Sequence, residues 1–276
     1  MAQAGREGGF VKTPSATGKQ AEGTGKLAHM DMLRQRSEQR KQQVYELLQV
    51  RQGHHVLDVG CGAGADTIEM GHATGPTGRV VGVDSDPEMI EEANRRAVRE
   101  GVSAWVGHQV HDATDLPFAD NAFDACHSER VFMHLPDPGR VFAEMVRVTR
   151  PGGLIAVIDI DGGSLSIDTE ESATERQIVR FWAAKHNNGY AGRRLYRHFK
   201  DHGLADIAVH IKPGPYLNLE RFIYYIKLDS IQDMAMQSGA VTADDIQRFR
   251  ASLEQAASLD AFFATANLIT VLGRKP

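Results

Sequence analysis

Three glycines alternate through Val56-Leu57-Asp58-Val59-Gly60-Cys61-Gly62-Ala63-Gly64, just after an apolar run and just before a helical pattern. Residues without a Cβ let the chain turn tightly and bring its backbone within contact distance of a ligand. The N-terminus of the helix that follows favours an anion or a carboxylate. Asp58, ahead of the loop, offers an acceptor for an ammonium group. A pyrophosphate would gain nothing from that aspartate, whereas a zwitterionic amino-acid moiety would. Twenty residues beyond Gly64, Asp84 ends the run Val-Val-Gly-Val-Asp, where a carboxylate can take both hydroxyls of a ribose. Its other use would be to help Asp86 cap the next helix. Further on, Asp112-Ala113 offers a carboxylate to an exocyclic amine and a backbone group to a ring nitrogen.

A second set of residues could handle protons. His111, His127 and His134 follow the third and fourth apolar runs, at the edge where open parallel sheets bind ligands. A general base is needed only if the reacting group starts protonated, and it then contributes roughly 10²- to 10⁴-fold. His134 is the first candidate and His111 the second. The ordinary readings are a loop contact for His111, a strand-end residue for His127 and a packing or capping residue for His134. Glu129 and Arg130 are expected to pair with each other or with a helix end. Asp159 and Asp161 would face the same mouth, orienting an acceptor or standing in solvent. No His/Asp set has the linear spacing of a metal cluster, so no metal is expected. Cys61 and Cys126 read as part-buried thiols rather than a disulfide framework.

These groups need a scaffold, and the pattern supplies one. Strands are expected at His55 to Gly60, Arg79 to Val83, Ala104 to Val110, Phe123 to His127 and Leu154 to Ile160. Helices are expected at Ala65 to Ala73, Pro87 to Glu100 and about Pro138 to Arg150, with Asp86-Pro87 and Asp137-Pro138 as N-cap and first helical residue. Such alternation indicates an α/β fold with a parallel sheet covered on both faces. The rhythm then loosens: an insertion at 161–190, a helix at Arg193 to His202 and a strand at Asp206 to Ile211. Two helical stripes follow, Leu219-Phe222-Ile223-Ile226 and Ile246-Phe249-Leu253-Ala257, the second begun by Thr242 with Asp245 three residues on. A last strand is read at Phe262 to Leu272. The helical insertion at about 213–260, with Tyr216, Phe222, Tyr224, Tyr225 and Phe249, would form either a lid over an apolar acceptor or ordinary helix packing.

Composition narrows the classes. The chain has 276 residues and a formal charge of -5, enough to bury a large core without staples. Residues 1–51 are net basic and the remainder net acidic, which argues against nucleic acid as a partner. No apolar run approaches the length of a membrane span, and residues 1–25 lack the apolar stretch of a secretory signal, so a cytoplasmic location is expected. Residues 1–26 read as a flexible tail and 27–52 as a helical extension, with Met30, Leu33, Val44, Leu47 and Leu48 spaced for one or two helices. That extension or the helical insertion could also join subunits into a homo-oligomer.

The ordered motifs VLDVGCGAG (56–64), VVGVDSD (80–86), DATDLPFADNAFD (112–124), HLPDP (134–138) and VTRPGG (148–153) resemble the class I S-adenosylmethionine-dependent methyltransferases, in the ubiquinone/menaquinone-methyltransferase-like (type 11) small-molecule group. The resemblance covers about residues 54–160. It implies a Rossmann-like doubly wound seven-stranded sheet, mostly parallel with the last strand antiparallel, in a domain spanning 53–276. It further implies Asp58, Gly60, Gly62 and Gly64 near the methionine moiety, Asp84 on the ribose, Asp112 and Ala113 at the adenine, and Ser128 behind the sulfonium, with Ser85 and Met89 also binding the cofactor. Where relatives often carry two histidines, this chain has Met133-His134. S-adenosyl-L-methionine would be the cofactor, and a small, largely apolar metabolite such as an indole, terpenoid or aromatic compound would be methylated at C, O or N. The alternatives are an NAD-dependent oxidoreductase, whose glycine loop also fits Gly60-x-Gly62-x-x-Ala65, and a catalytically silent cofactor-binding partner.

Overall fold

Val56 to Val59 are fully apolar apart from Asp58, as a strand buried on both faces requires, and they form the central strand β1 (His55–Val59). The computed structural model describes residues 44–276, so the tail at 1–26 and nearly all of the extension at 27–52 lie outside the described residues. From β1 the chain runs through α1 (Ala65–Thr74), β2 (Arg79–Asp84), α2 (Pro87–Arg99), β3 (Val106–Val110), β4 (Phe123–Glu129), a 3₁₀ turn at Phe132–His134, α3 (Pro138–Val148) and β5 (Thr149–Ile167). It continues through α4 (Ser172–Ala184), α5 (Ala191–Asp201), β6 (Ala205–Tyr216), α6 (Leu219–Ile226), α7 (Leu228–Gln237), α8 (Ala243–Ser258) and β7 (Ala264–Arg274).

Among the described residues, seven strands form one sheet in the order β3-β2-β1-β4-β5-β7-β6. The first five pair in parallel, while β7 runs antiparallel to both β5 and β6. The expected doubly wound sheet is therefore present. Its order reverses between β1 and β4, and open sheets of this kind bind ligands in the crevice beyond the carboxyl ends of the strands at that reversal. The expected caps also form: the Asp86 carboxylate accepts from the Glu88 amide at 2.9 Å and Asp137 from Arg140 at 3.0 Å. Thr242 and Asp245 make a reciprocal capping box. Each such cap stabilises its helix by about 1 kcal/mol.

Several boundaries differ from the sequence expectation, each for a local reason. β3 starts at Val106 because the amides of Trp105 and Val106 both bond back to the Val102 carbonyl, closing a turn over 102–106. β5 does not stop at Ile160. It bulges between Asp161 and Ser166 and continues to Ile167, pairing with the start of β7, while Tyr216 at the end of β6 pairs with Ala264 on the other side. The bulge holds Gly162 and Gly163, where an added Cβ would meet the Gly189 carbonyl at 2.4 Å and Arg193 and Tyr190 at 2.6 Å. The segment 161–190 is thus a strand extension and a helix. α7 had no counterpart in the sequence reading, because its buried stripe of Leu228, Ile231, Gln232 and Ala235 contains a glutamine and so lacks a clean apolar period.

Two cores result. The larger packs α3 and α5 on the sheet through Phe142, Met145, Leu195 and Phe199. The smaller gathers α4, α6, α7 and α8 on the raised ends of β5 and β7. Phe222 and Phe249 lie wholly inside this second core and cannot face an acceptor, while Tyr224 and Tyr225 are exposed on its outside. Of the aromatic lid residues expected from the sequence, Tyr216 alone is half-buried at its edge, with its ring 5.4 Å from that of Phe222.

Candidate functional site

The loop after β1 is held by backbone bonds to β2. The amides of Gly60 and Cys61 donate to the Val83 carbonyl at 2.8 and 3.0 Å, and the Gly62 amide donates to the Asp84 carboxylate at 2.9 Å. All three alternate glycines have positive φ, a region that disfavours a side chain. Their surroundings differ. A Cβ on Gly60 would strike Val131 at 2.2 Å and one on Gly64 would meet Ala93 at 2.9 Å, so at both positions the missing side chain serves close packing. A Cβ on Gly62 would meet nothing within 4 Å, which leaves an open cradle over the loop. Gly71, Gly78 and Gly82 have their Cβ positions filled by neighbouring atoms, in keeping with a packing role.

A cavity of about 560 Å³ opens at the strand ends and is lined by Gly60, Asp84, Ser85, His111, Asp112, Ala113, Arg130, Val131 and His134 among others. Asp84 uses one oxygen on the Gly62 amide and the other on the Asp86 amide at 3.0 Å, so it both ties the loop and adds to the α2 cap. An ionised carboxylate has about four acceptor positions, leaving room for two ribose hydroxyls. Asp112 accepts from the Thr114 amide and hydroxyl, both at 2.8 Å, and these bonds hold its carboxyl below the usual carboxylate range.

Other expected site residues lie off the cavity lining. Met89 is largely exposed in the first turn of α2 and gives its amide to Asp86. Ser128 is wholly buried and donates its hydroxyl to the Val59 carbonyl at 2.9 Å. His127 is not at the mouth: it is buried beneath the loop, where its Nδ1 donates to Asp58 at 2.8 Å. Burial, the strongest influence on this imidazole, opposes its charge, but Asp58, Asp66 and Glu129 outweigh burial and raise its pKa. Asp66, His127 and Glu129 bring ligand atoms within 4.8 Å of one another, a proximity invisible in linear spacing.

Asp159 and Asp161 also depart from expectation, since neither is exposed. Asp159 is fully buried and accepts from the Met133 amide at 3.0 Å and from the Ile160 amide at 2.7 Å; burial pushes its pKa up to about 6. Asp161 pairs with Arg193 at 2.7 Å. Neither is among the residues that line the cavity. Asp159 grips the 3₁₀ turn from the sheet, and the loop after α4 grips it from above. There the Asn188 amide donates to the Met133 carbonyl at 3.0 Å and the Asn187 side chain to the His134 carbonyl at 2.7 Å.

This clasp brings in a residue that the sequence reading missed. The His186 ring lies 5.4 Å from that of His134, centroid to centroid. The Nδ1 of His186 is 3.1 Å from the Trp182 carbonyl, which can only accept, so in neutral His186 the proton is on Nδ1 and Nε2 is the basic nitrogen. Burial first, then His186 and Arg130, lower the pKa of His134; burial first, then Lys185 and Lys227, lower that of His186 against the Trp182 carbonyl. These influences favour the neutral form of both imidazoles, the state a base requires. No linear motif joins His186 to His134, and a buried stripe ending in Trp182 was the only signal. Glu129 and Arg130 do not pair with each other among the described residues.

The fit to S-adenosylmethionine can be judged from these features. Asp84 at the end of β2 and Asp112 with Ala113 along one cavity suit an adenosyl group, the open space at Gly62 beside Asp84 leaves room for an amino-acid tail, and the acidic lining disfavours a phosphorylated nucleotide. A family model described as a methyltransferase domain matches residues 57–157. A 37.1 kDa protein in transposon TN4556 of Streptomyces fradiae is 32% identical over 85% of this chain and 66% of its own length. The methyltransferase GfsG of Streptomyces halstedii is 40% identical over 48% of this chain and 46% of its own. The chain thus spans just under two thirds of the first relative's length and less than half of the second's. Among solved structures, the YcgJ protein of Bacillus subtilis superimposes with a TM-score of 0.58 at 21% identity, covering 85% of this chain and 97% of that one. The domain match favours the methyl-transfer over the hydride-transfer reading of the glycine loop, and residues 57–157 carry a methyltransferase domain similar to those of the S-adenosylmethionine-dependent methyltransferases.

Proposed function

We propose that the chain transfers a methyl group from S-adenosylmethionine to a carbon, oxygen or nitrogen of a small, largely apolar metabolite, as in the secondary metabolism of indoles, terpenoids or aromatic compounds. One observation carries the reading: the cavity that holds Asp84, Asp112 and Ala113 also reaches His134, so cofactor-type and proton-handling groups share one space. Bound S-adenosylmethionine supplies a methyl activated by a sulfonium, whose thioether leaving group needs no acid.

The chain's own residues then align and desolvate. Gly62 gives the methionine moiety room, Asp84 and Ser85 take the ribose, and Asp112 with Ala113 take the adenine edge. Val131 packs against the loop at Gly60, and Asp159 fixes the turn that carries His134. Orientation of this kind is worth roughly 7 to 11 kcal/mol in intramolecular systems. His134, with His186 beside it, removes a proton where the acceptor has one to lose.

No helix among the described residues is long and apolar enough to cross a membrane. The test is a mass-spectrometric screen of candidate metabolites with isotopically labelled cofactor methyl. A labelled gain of one methyl on an apolar metabolite is expected; labelled transfer to protein or nucleic acid alone would refute the reading.

A further inference from the structure

Among the described residues, Arg130 is the only lysine or arginine lining the cavity, and the carboxylates that line the cavity with it are already engaged by backbone amides. Asp84 serves Gly62 and Asp86, Asp112 serves Thr114, and Asp137 serves Arg140. Asp159, close enough to feel the charge of Arg130, serves Met133 and Ile160. The guanidinium thus has no ion pair among the described residues, in a mouth with several acids.

Its backbone is also unusual. Arg130 has φ 57, the left-handed region, which costs a residue with a Cβ roughly 1 kcal/mol or more. The conformation is fixed by its amide, which donates to the Ile158 carbonyl at 2.8 Å, and by Val131, which occupies the space beside Gly60. Strain of this sort persists where the surroundings impose it and gathers at ligand sites. The charge is felt by His134 on one side and by Tyr216 at the edge of the helical layer on the other. Arg130 and His134, the base candidate, line the same cavity.

We propose that Arg130 is the anion-recognition residue of the acceptor site, holding the deprotonated oxygen of an acceptor with an acidic hydroxyl, a phenol or an enol, which is methylated on that oxygen. This deepens the methyl-transfer reading and rests on it. The acceptor O–H gives its proton to His134, whose imidazole becomes imidazolium, and the oxyanion stays paired with Arg130. An oxygen lone pair forms the bond to the methyl carbon as the carbon–sulfur bond breaks. The electrons of that bond stay on sulfur, leaving a neutral thioether, and His134 releases its proton to water.

A carboxylate of the cofactor could engage the same guanidinium, and the experiment separates the two. The full chain is titrated with para-nitrophenol, whose phenolate absorbs apart from the phenol, with and without saturating S-adenosylhomocysteine. Para-nitrotoluene serves as the neutral control, and S-adenosylhomocysteine affinity is measured by calorimetry. An opposite charge at this range lowers an acid's pKa by about one unit or more. Bound nitrophenol should therefore ionise at least about one pH unit lower than in buffer, and phenolate should bind about tenfold tighter than nitrotoluene. R130M should abolish both effects. R130G removes the guanidinium while relieving the left-handed backbone, so a fold defect in R130M cannot hide the answer. Unshifted ionisation in the wild type, or a shift that survives R130G, would overturn the proposal. So would an R130G variant that loses S-adenosylhomocysteine affinity yet keeps its preference for phenolate. A wild type that takes no S-adenosylhomocysteine but still favours phenolate would sink the methyl-transfer reading and leave the anion site standing.

Discussion

The carboxylate of Asp84 holds the amide of Gly62 at 2.9 Å, linking the end of β2 to the one alternate glycine whose Cβ position opens onto free space. The residue expected to bind the ribose therefore also sets the shape of the loop expected to hold the methionine moiety, and the two halves of a cofactor site become mechanically one.

Substitution at Asp84 should reveal both roles. D84N keeps an oxygen that can accept but loses the charge, and hydrogen bonds to charged groups are worth about 1.5 to 3 kcal/mol. Affinity for S-adenosylhomocysteine should fall tenfold or more in D84N and further in D84A, where the loop is also released. Calorimetric titration checks this; unchanged affinity in D84A would remove Asp84 from the site.

The glycines should separate by mechanism. G60A forces a Cβ into Val131 and should lower unfolding stability by about 1 to 3 kcal/mol in urea, the usual range for overpacking. G62A meets no protein atom, so only its backbone strain of roughly 1 kcal/mol should appear in unfolding, while cofactor affinity drops far more than stability does. Equal losses in both variants would contradict the open cradle.

Asp159 should make stability depend on pH. Its folded pKa of about 6 lies above the unfolded value of about 3.9, so the folded state prefers the protonated form. Its contribution is fully present below about pH 4 and is lost as pH rises through 6. D159N cannot ionise and should flatten this part of the profile. The stability difference between the two proteins should change by about 2 to 3 kcal/mol from pH 4 to 7.5, in favour of D159N at the higher pH. Parallel profiles in chemical denaturation would show that Asp159 does not titrate there.

The histidine pair should appear in the pH–rate profile of an acceptor that carries a proton. His134 faces His186 and Arg130, while His186 faces Lys185 and Lys227, and burial first, then these neighbours, lower the pKa of both rings. H134A should reduce kcat about 10²- to 10⁴-fold. H186A removes one neighbour and should move the acid limb of kcat/KM upward in pH with a smaller loss of rate. An acid limb that stays in place would mean the two rings do not interact.

Much of this was legible in the chain itself. The alternation of apolar runs with capped helices determined the parallel part of the sheet, because a strand buried on both faces must be continuously apolar, as Val80 to Val83 are, and a helix start needs a side-chain acceptor such as Asp86 or Asp137. The order of the glycine loop, Asp84 and Asp112-Ala113 determined which strand ends would meet. Contacts without a local signature were decided by the tertiary structure. His186 reaches His134 only because Asn187 and Asn188 clasp the 3₁₀ turn and Gly162-Gly163 let their loop approach. Asp159 became a buried clamp, and Phe222 and Phe249 became core. Linear pattern reports which face of one element is apolar; which polar groups face each other across elements depends on bulges, loop lengths and packing that arise only when those elements are assembled.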